Sequence, residues 1–491
     1  MQMVLGLSES KDSVKDEIIV SRRPVLLVIW MFGVLFSTLL PANEVPDHIK
    51  GALCIVRADD KIVLVNEILT KQISLPGGII DQGEPPHLTA ERETWEESGL
   101  VVTAKEILGY TATAVIYDCV SDSDVIAYDF NNVLDGHELP VWFAPHYGVE
   151  VASAMLLSPD NLESHEYRYP EQWPAIRAMF NDASNQPVTY VDNLIKAAPS
   201  FNQIELGWMS NLQQSISSLP SAITAGINSL SMLAMTLTKP WLMLVLFPLA
   251  YWYFGKEFGF KLFFTVTVTS LLCLVAQQGF SLPKPHVYTP ALELLPSYGF
   301  SFPSLPIAVW SCAATLVFYK LGKLSINKAT LGFLAFITWI AFSKFYSGSA
   351  FITDMVVGAL FGSLSAWNII RLSSRQDIDL LTLVSSKGVW FGLTGATVVI
   401  TAVWPLPVFT AWLAVLLTAS MLVISFDRNK EMIDFKQVIA TIVLLLLMNE
   451  VILYGATFVS YSGILSLGVE TIRFPLLILL FVVSVRKGKL I

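Results

Sequence analysis

Apolar and polar positions divide this chain near residue 240. Beyond it, long apolar stretches recur at about 240–254, 260–279, 304–319, 329–346, 352–370, 388–404, 406–425, 437–457 and 464–485. One more, PVLLVIWMFGVLFSTLLP at 24–41, precedes the polar part. Such stretches suit bilayer-spanning helices, so about ten are expected, the first being an N-terminal anchor. The pattern between 47 and 196 is different. KGALCIVRA and KIVLVNE are short apolar runs split by Asp59-Asp60, which predicts a hairpin. VVTAKEILGYTATAVIYDCV and DVIAYDFNNVL continue with strand-forming residues, and LSPDNLESHEYRYPEQWPAIRAMF predicts a closing helical region. A helix is expected from about His87 to Ser98, opened by Pro85-Pro86 and stopped by Gly99. The fold class is therefore an α+β domain joined to a polytopic all-α membrane region.

Composition agrees. With 54% hydrophobic and 14% charged residues and a mean hydropathy of +0.58, a single soluble domain is excluded. The formal charge of −9 arises mostly in the first half, and no basic stripe points to nucleic acid. Lys and Arg occupy alternate connections: Arg22-Arg23, Lys256 with Lys261, Lys320 to Lys328, Arg371 to Lys387, Arg428 to Lys436, and Arg486-Lys487. The positive-inside rule then makes both termini cytoplasmic, including a tail at 1–23, and places 47–196 outside the cytosol, in the periplasm if the cell is Gram-negative. LLPANE is a poor cleavage site, so the first span is expected to stay as an anchor. The Ser-rich, almost uncharged segment 197–239 is expected to be a linker along the membrane surface.

Cys273 and Cys312 fall in apolar spans and are expected to be packing residues. Cys54 and Cys119 fall in expected strands and could pair only if those strands are neighbours in an oxidising compartment. His48, His87, His137, His146 and His165 are scattered without metal-ligand spacing, which predicts surface or packing roles.

The densest chemistry lies in GIIDQGEPPHLTAERETWEESGL, Gly78–Leu100. Glu93, Glu96 and Glu97 stand at i, i+3 and i+4, so three carboxylates share one helical face. A solvated acidic face is the ordinary meaning of such a helix. Here the glycines, an arginine and the glutamates all fall in one register, and a hard cation with oxygen ligands would relieve the repulsion. The stretch resembles the box of the Nudix hydrolases at every charged and glycine position, departing at Thr94, where that family usually carries an aliphatic residue. The resemblance implies a mixed sheet between helices and hydrolysis of a diphosphate with Mg²⁺ or Mn²⁺. It also implies that Glu93, Glu96 and Glu97 hold the metal, that Arg92 and Glu84 brace the loop and helix, and that Gly78 and Gly99 shape the box. A further glutamate outside the box often assists in that family; Glu150 is the candidate.

A second signature runs through the membrane region as LPKPHV, SFPSLP and SKFYSGSAFITD. Its order and placement over about 240–372 resemble the three motifs of the type 2 phosphatidic acid phosphatases. Against that family's pattern, Gln277 replaces a lysine, Lys284-Pro285 stands for Arg-Pro, and Leu305-Pro306 follows Pro303-Ser304 in place of Gly-His. Ser343-Lys344 stands for Ser-Arg, Ala350 takes the nucleophilic histidine's place, and Asp354 is kept. Pro306 and Ala350 supply neither proton nor nucleophile, so the resemblance implies a phosphatase-like domain that is inactive. Lys284, Ser304 and Lys344 could still hold a phosphate, although interfacial lysines snorkelling at span ends would look the same. The last four spans, 386–491, resemble nothing named; Glu450 and Arg473 stand at similar depth and are expected to pair.

The expected protein is a membrane-bound Nudix-type hydrolase cleaving a lipid-linked or outer-leaflet diphosphate, with the bilayer as its partner. An anchored hydrolase of soluble nucleoside-diphosphate derivatives is one alternative. A non-catalytic lipid-phosphate binder is the other.

Overall fold

The computed structural model describes residues 45–46, 48–375, 379–424 and 434–486; the expected tail 1–23 and anchor 24–41 lie outside them. In the polar half, β1 (Gly51–Ile55) continues through buried Val56 into β2 (Arg57–Ala58), which turns back into β3 (Lys61–Glu67). The turn is Asp59-Asp60, both with positive φ, 50° and 56°, as a two-residue hairpin requires. Lys61 and Arg57 hold their carboxylates at 2.9 and 2.6 Å. After β4 (Ile73–Ser74) and β5 (Gly77–Ile79) comes α1 (Pro86–Ser98). Then follow β6 (Val102–Tyr110), β7 (Ala114–Ser121), β8 (Val125–Tyr128), β9 (His137–Glu138), β10 (Val151–Leu157), α2 (Trp173–Asp182), β11 (Asn185–Gln186) and β12 (Val188–Val191).

One sheet has the order β5-β1-β7-β6, mixed because β1 and β7 run parallel. The other follows β11-β2-β3-β10-β9, with β4 on β3, and β12 pairs with β8. α1 packs on β1, β5 and β6. A core of Ile55, Leu64, Ile116, Met155, Trp173 and Ile176 joins both sheets to α2. The parallel pairing of β1 with β7 also decides the cysteines. Cys54 and Cys119, fully buried with Cα atoms 5.5 Å apart, form a disulfide.

The apolar half is helical: α3 (Ser200–Ser217), α4 (Ser221–Thr236), α5 (Met243–Phe254), α6 (Lys256–Phe280), α7 (Leu305–Lys320), α8 (Lys328–Tyr346), α9 (Ile352–Ser373), α10 (Leu380–Val384), α11 (Lys387–Val403), α12 (Pro407–Ile424), α13 (Phe435–Thr457) and α14 (Gly463–Arg486). Five of these, α6, α8, α9, α13 and α14, are long and apolar enough to cross a membrane, and α4 with α5, bent by 62°, makes up to six. Among the described residues, length and composition support five or six spans, not the whole of the expected number of about ten. α7, for instance, has 16 residues, about 24 Å of helix against a hydrocarbon core of about 30 Å.

The segment expected as a surface linker forms two helices that touch the bundle by one face and leave the other exposed. α3 buries Leu206 and Met209, and its Glu205 carboxylate accepts the N–H groups of Ile352 (2.6 Å) and Thr353 (3.3 Å) at the start of α9. α4 lies against α8, its buried side chains being the small Ser231 and Ala234. In the last helices Arg473 bonds not Glu450 but Asn449 Oδ1, at 3.0 and 2.8 Å. Asn449 donates in turn to Glu450 (3.1 Å), and Glu470 lies 3.5 Å from the guanidinium. The costly charge is thus satisfied through an amide one residue away from the expected partner.

The α+β domain is seated on connections at one end of the bundle. Tyr128 donates to the Val287 carbonyl (2.6 Å), Leu194 N–H to Tyr288 (2.8 Å) and Arg168 to Tyr461 (3.2 Å). Trp142 packs at a tilt against Tyr288, and Tyr147 meets Phe300 edge-on. Within this seam the Glu138 carboxyl is pushed up to about 7, first by burial and then by Glu293, which burial also raises. An unfolded glutamate ionises near 4.3, so between that value and about 7 the unfolded chain holds fewer protons and stability declines as pH rises. Glu138→Gln is therefore expected to match the wild type at pH 4 and exceed it at pH 8, by at most about 4 kcal/mol. Thermal melts in detergent across pH measure the difference.

Candidate functional site

The box helix is built by its ends. Pro86 occupies the first helical position, and Gly99 closes the helix with φ 73°, its N–H bonded to Trp95. Between them Thr94, the one departure from the expected pattern, is fully buried. Its hydroxyl is satisfied by the Ala90 carbonyl at 2.7 Å, so a polar side chain is tolerated in an apolar place.

Arg92 organises the acidic face. Its Nε and Nη2 reach the two oxygens of Glu84 at 3.0 Å each, a bidentate pair. Arg92, then the Thr89 hydroxyl, hold the Glu84 carboxyl down at about 2. The remaining nitrogen, Nη1, bridges Glu93 (2.8 Å) and Glu96 (2.9 Å). Gly78 faces this cluster: a Cβ there would lie 2.4 Å from the Glu93 carboxyl carbon. Only a glycine lets the β5 backbone approach the carboxylate so closely.

Glu97 lies deeper. It is buried, and one oxygen accepts the Gly77 N–H at 3.0 Å. Burial first raises its carboxyl well above the ordinary range; Glu93, Glu67 and Glu150 push the same way. Glu93 is raised by burial as well. Among the described residues Glu97 has no cationic partner, which is what a buried carboxylate awaiting a cation would show. Glu150 is half exposed at the start of β10, and its carboxylate lies 3.7 Å from His146 Nδ1. All four sequence-expected carboxylates thus converge.

One residue was not anticipated. His146, expected in a surface or packing role, offers a ring nitrogen that lies with oxygens of Glu93 and Glu96 in a set mutually within 4.8 Å. The donors of this cluster suit a divalent cation. The only trace of it in the chain is the four-residue spacing from His146 to Glu150, on a different element from the box.

The second set of residues lies at the loop ends of α6 to α9. Gln277 donates to the Pro303 carbonyl (2.8 Å), and Ser304 N–H to the Asp354 carbonyl (3.0 Å). Lys344 is buried, and the buried Ser304 Oγ has no hydrogen-bond partner. Neither Lys284 nor Lys344 forms an ion pair among the described residues. Burial, then Lys344, pulls the Lys284 ammonium down to about 7. His286 is bonded to the Gly348 carbonyl (3.2 Å) and faces Glu293 (3.6 Å). Ala350 and Pro306 contribute no polar side chain, so what remains here is Lys284, Lys344 and Ser304 with the carboxylates of Asp354 and Glu293 nearby.

Comparison with known proteins matches both regions separately. A model described as NUDIX domain matches residues 47–179, and one described as PAP2 superfamily matches 258–377. No curated protein matches the chain. Among solved structures, an ADP-ribose pyrophosphatase from Streptococcus suis is 18% identical, with 28% of this chain and 96% of that one covered and a TM-score of 0.21. LpxE from Aquifex aeolicus is 22% identical, covering 33% and 93%, with a TM-score of 0.27. A transmembrane PAP2-type phosphatidylglycerolphosphate phosphatase from Bacillus subtilis is 15% identical, covering 35% and 98%, at 0.23. The chain thus joins a region that matches the NUDIX domain to a later region that matches the PAP2 superfamily, the second lying among the apolar helices.

Proposed function

We propose that this protein is a membrane-bound pyrophosphohydrolase that uses Mg²⁺ or Mn²⁺ to cleave a diphosphate carrying a lipid tail. The observation that carries this reading is the buried Glu97 carboxylate without a cation partner, beside Glu93 and Glu96 on one face of α1. Glu93, Glu96 and Glu97 would hold the ion, with Glu150 at the rim. Once bound, the ion polarises a phosphoryl oxygen and lowers the pKa of water. Arg92 and Glu84 fix where the carboxylates stand, and Gly78 leaves room for them.

Three features support a lipid substrate at an outer membrane surface. α3 exposes Phe201, Ile204 and Trp208 at helical spacing, an apolar stripe that suits a bilayer interface. Leu88 and Trp95, also exposed, lie on α1 next to Arg92 and would meet an apolar tail. The Cys54–Cys119 disulfide belongs to an oxidising compartment, and the seam uses connections that the charge pattern leaves outside the cytosol.

In this reading the PAP2-like domain, lacking both histidines, does not turn over, and Lys284, Ser304 and Lys344 hold a phosphate without cleaving it. The test is turnover by the purified full chain with Mg²⁺ across isoprenoid diphosphates, diphosphate-linked lipids, nucleotide sugars and nucleotides. Preference for the lipid diphosphates is expected. Preference for nucleotide compounds would point to an anchored enzyme with soluble substrates, and binding without any turnover to a lipid-phosphate binder. Strong dephosphorylation of phosphatidate by a Glu97→Gln chain would remove the claim of an inactive second domain.

A further inference from the structure

We infer that His146 is a nitrogen ligand to the cation of the NUDIX site, delivered by a loop that the membrane domain holds in place. The inference rests on the proposed cation site and adds to it a donor from outside the box.

The geometry begins with the backbone. His146 N–H donates to the Glu96 carbonyl at 2.8 Å, docking its loop onto the last turns of α1. The His146 carbonyl then accepts the N–H groups of Val149, Glu150 and Val151 at 3.0–3.1 Å. With both backbone groups fixed, the imidazole has little freedom to leave. Its Nε2 lies 3.8 Å from Glu96 and its Nδ1 3.7 Å from Glu150. Nδ1 is buried and makes no hydrogen bond. An octahedral ion with bonds of about 2.1 Å spaces its donors between about 3.0 and 4.2 Å. The set formed by His146, Glu93 and Glu96, all within 4.8 Å, needs only small adjustments to reach that range.

The residues after His146 reach into the membrane domain. Tyr147 is buried, donates to the Gly299 carbonyl (3.4 Å) and packs edge-on against Phe300. Val149 packs against a cluster of Leu274, Leu406 and Phe409. The loop that carries the imidazole is thereby clamped between α1 and the bundle, so the metal site is completed by the way the two domains are joined. Chemically, one imidazole among carboxylates shifts preference from Mg²⁺ toward Mn²⁺, since nitrogen donors suit later divalent ions.

Mn²⁺ is the probe, because its electron spin reports bound nitrogen directly. The full chain in detergent is titrated with Mn²⁺, and the bound ion is examined by pulsed EPR for coupling to ¹⁴N. Coupling in the wild type that disappears in His146→Gln, with Mn²⁺ affinity falling about tenfold or more, is the expected result. Bound Mn²⁺ without ¹⁴N coupling in the wild type would overturn the inference and leave the carboxylate site standing. Coupling that persists in His146→Gln would also overturn it, by assigning the nitrogen to another residue. No bound Mn²⁺ at all would remove the cation site itself, and this inference with it.

Discussion

Replacing Glu97 by glutamine is expected to reduce kcat/KM by about a thousandfold or more, equivalent to about 4 kcal/mol of transition-state stabilisation, with almost no change in thermal stability. The separation follows from the site. Without a cation, burial raises the Glu97 carboxyl well above the ordinary range and so favours its protonated form. Glutamine is the isostere of that neutral state, and its oxygen can still accept the Gly77 N–H that now binds Glu97 at 3.0 Å. Folding therefore loses little. Cation binding, however, needs the carboxylate, and the ion gains its place by displacing the proton. The same logic makes apparent cation affinity in the wild type fall as pH is lowered, more steeply than in the variant. Glu84→Gln should behave in the opposite sense, because Glu84 is already ionised and paired bidentately with Arg92. Its loss leaves that guanidinium short of a partner and costs stability first, activity second. Turnover, metal titration and melting of both variants in one detergent distinguish the cases. A Glu97→Gln chain that turns over like the wild type, or one that loses activity only in step with unfolding, would refute the assigned role.

How much of this was legible in the chain depends on sequence distance. The box was, because Glu93, Glu96 and Glu97 are made neighbours by helical periodicity alone, and the hairpin at Asp59-Asp60 by two adjacent turn residues. His146 was not: it stands 50 positions after Glu96 and reaches it only through the docking of one loop on the end of α1. Its local sequence offers only the four-residue spacing to Glu150, which does not point to the box. The partner of Arg473 shows a finer limit. Depth within the span was read correctly, but a step of one residue turns a helix by about 100°, and it is Asn449, not Glu450, that faces Arg473.

The membrane half divides in the same way. Apolar stretches mark helices well, and each of those expected beyond 240 overlaps a helix. Their number as spans depends on length and breaks, which hydropathy does not report. α4 and α5 form one bent unit, and α7 is short for a bilayer. The linker carries few charges and many serines, and its small side chains also permit the close packing of α4 on α8. Phe201, Ile204 and Trp208 on α3, and Ile223, Leu230 and Leu233 on α4, are exposed apolar side chains that keep the interfacial reading for both helices.

Breaking the disulfide is expected to destabilise the NUDIX domain by about 4 kcal/mol, the chain-entropy value for a closed loop of this size. The bond joins residues 65 positions apart, and the loop it closes contains β3, β5 and the whole of α1, hence every box carboxylate. It ties β1 to β7, the two strands on which that helix and the edge strand β5 depend. Cys54→Ser, or reduction of the wild type, should therefore lower the melting temperature and expose the turn between β6 and β7 to protease. Cation affinity should fall with it, since Gly77 and Gly78 in β5 shape the site. The helical bundle should be spared, because its two cysteines, Cys273 and Cys312, are free and buried. The same chemistry tests which side of the membrane the domain faces. The chain has four cysteines, so protein taken from cells and denatured without reductant should accept two maleimide labels, and four after reduction. Four labels without reductant would mean that the bond does not form in the cell, and the argument for an oxidising compartment would fall with it.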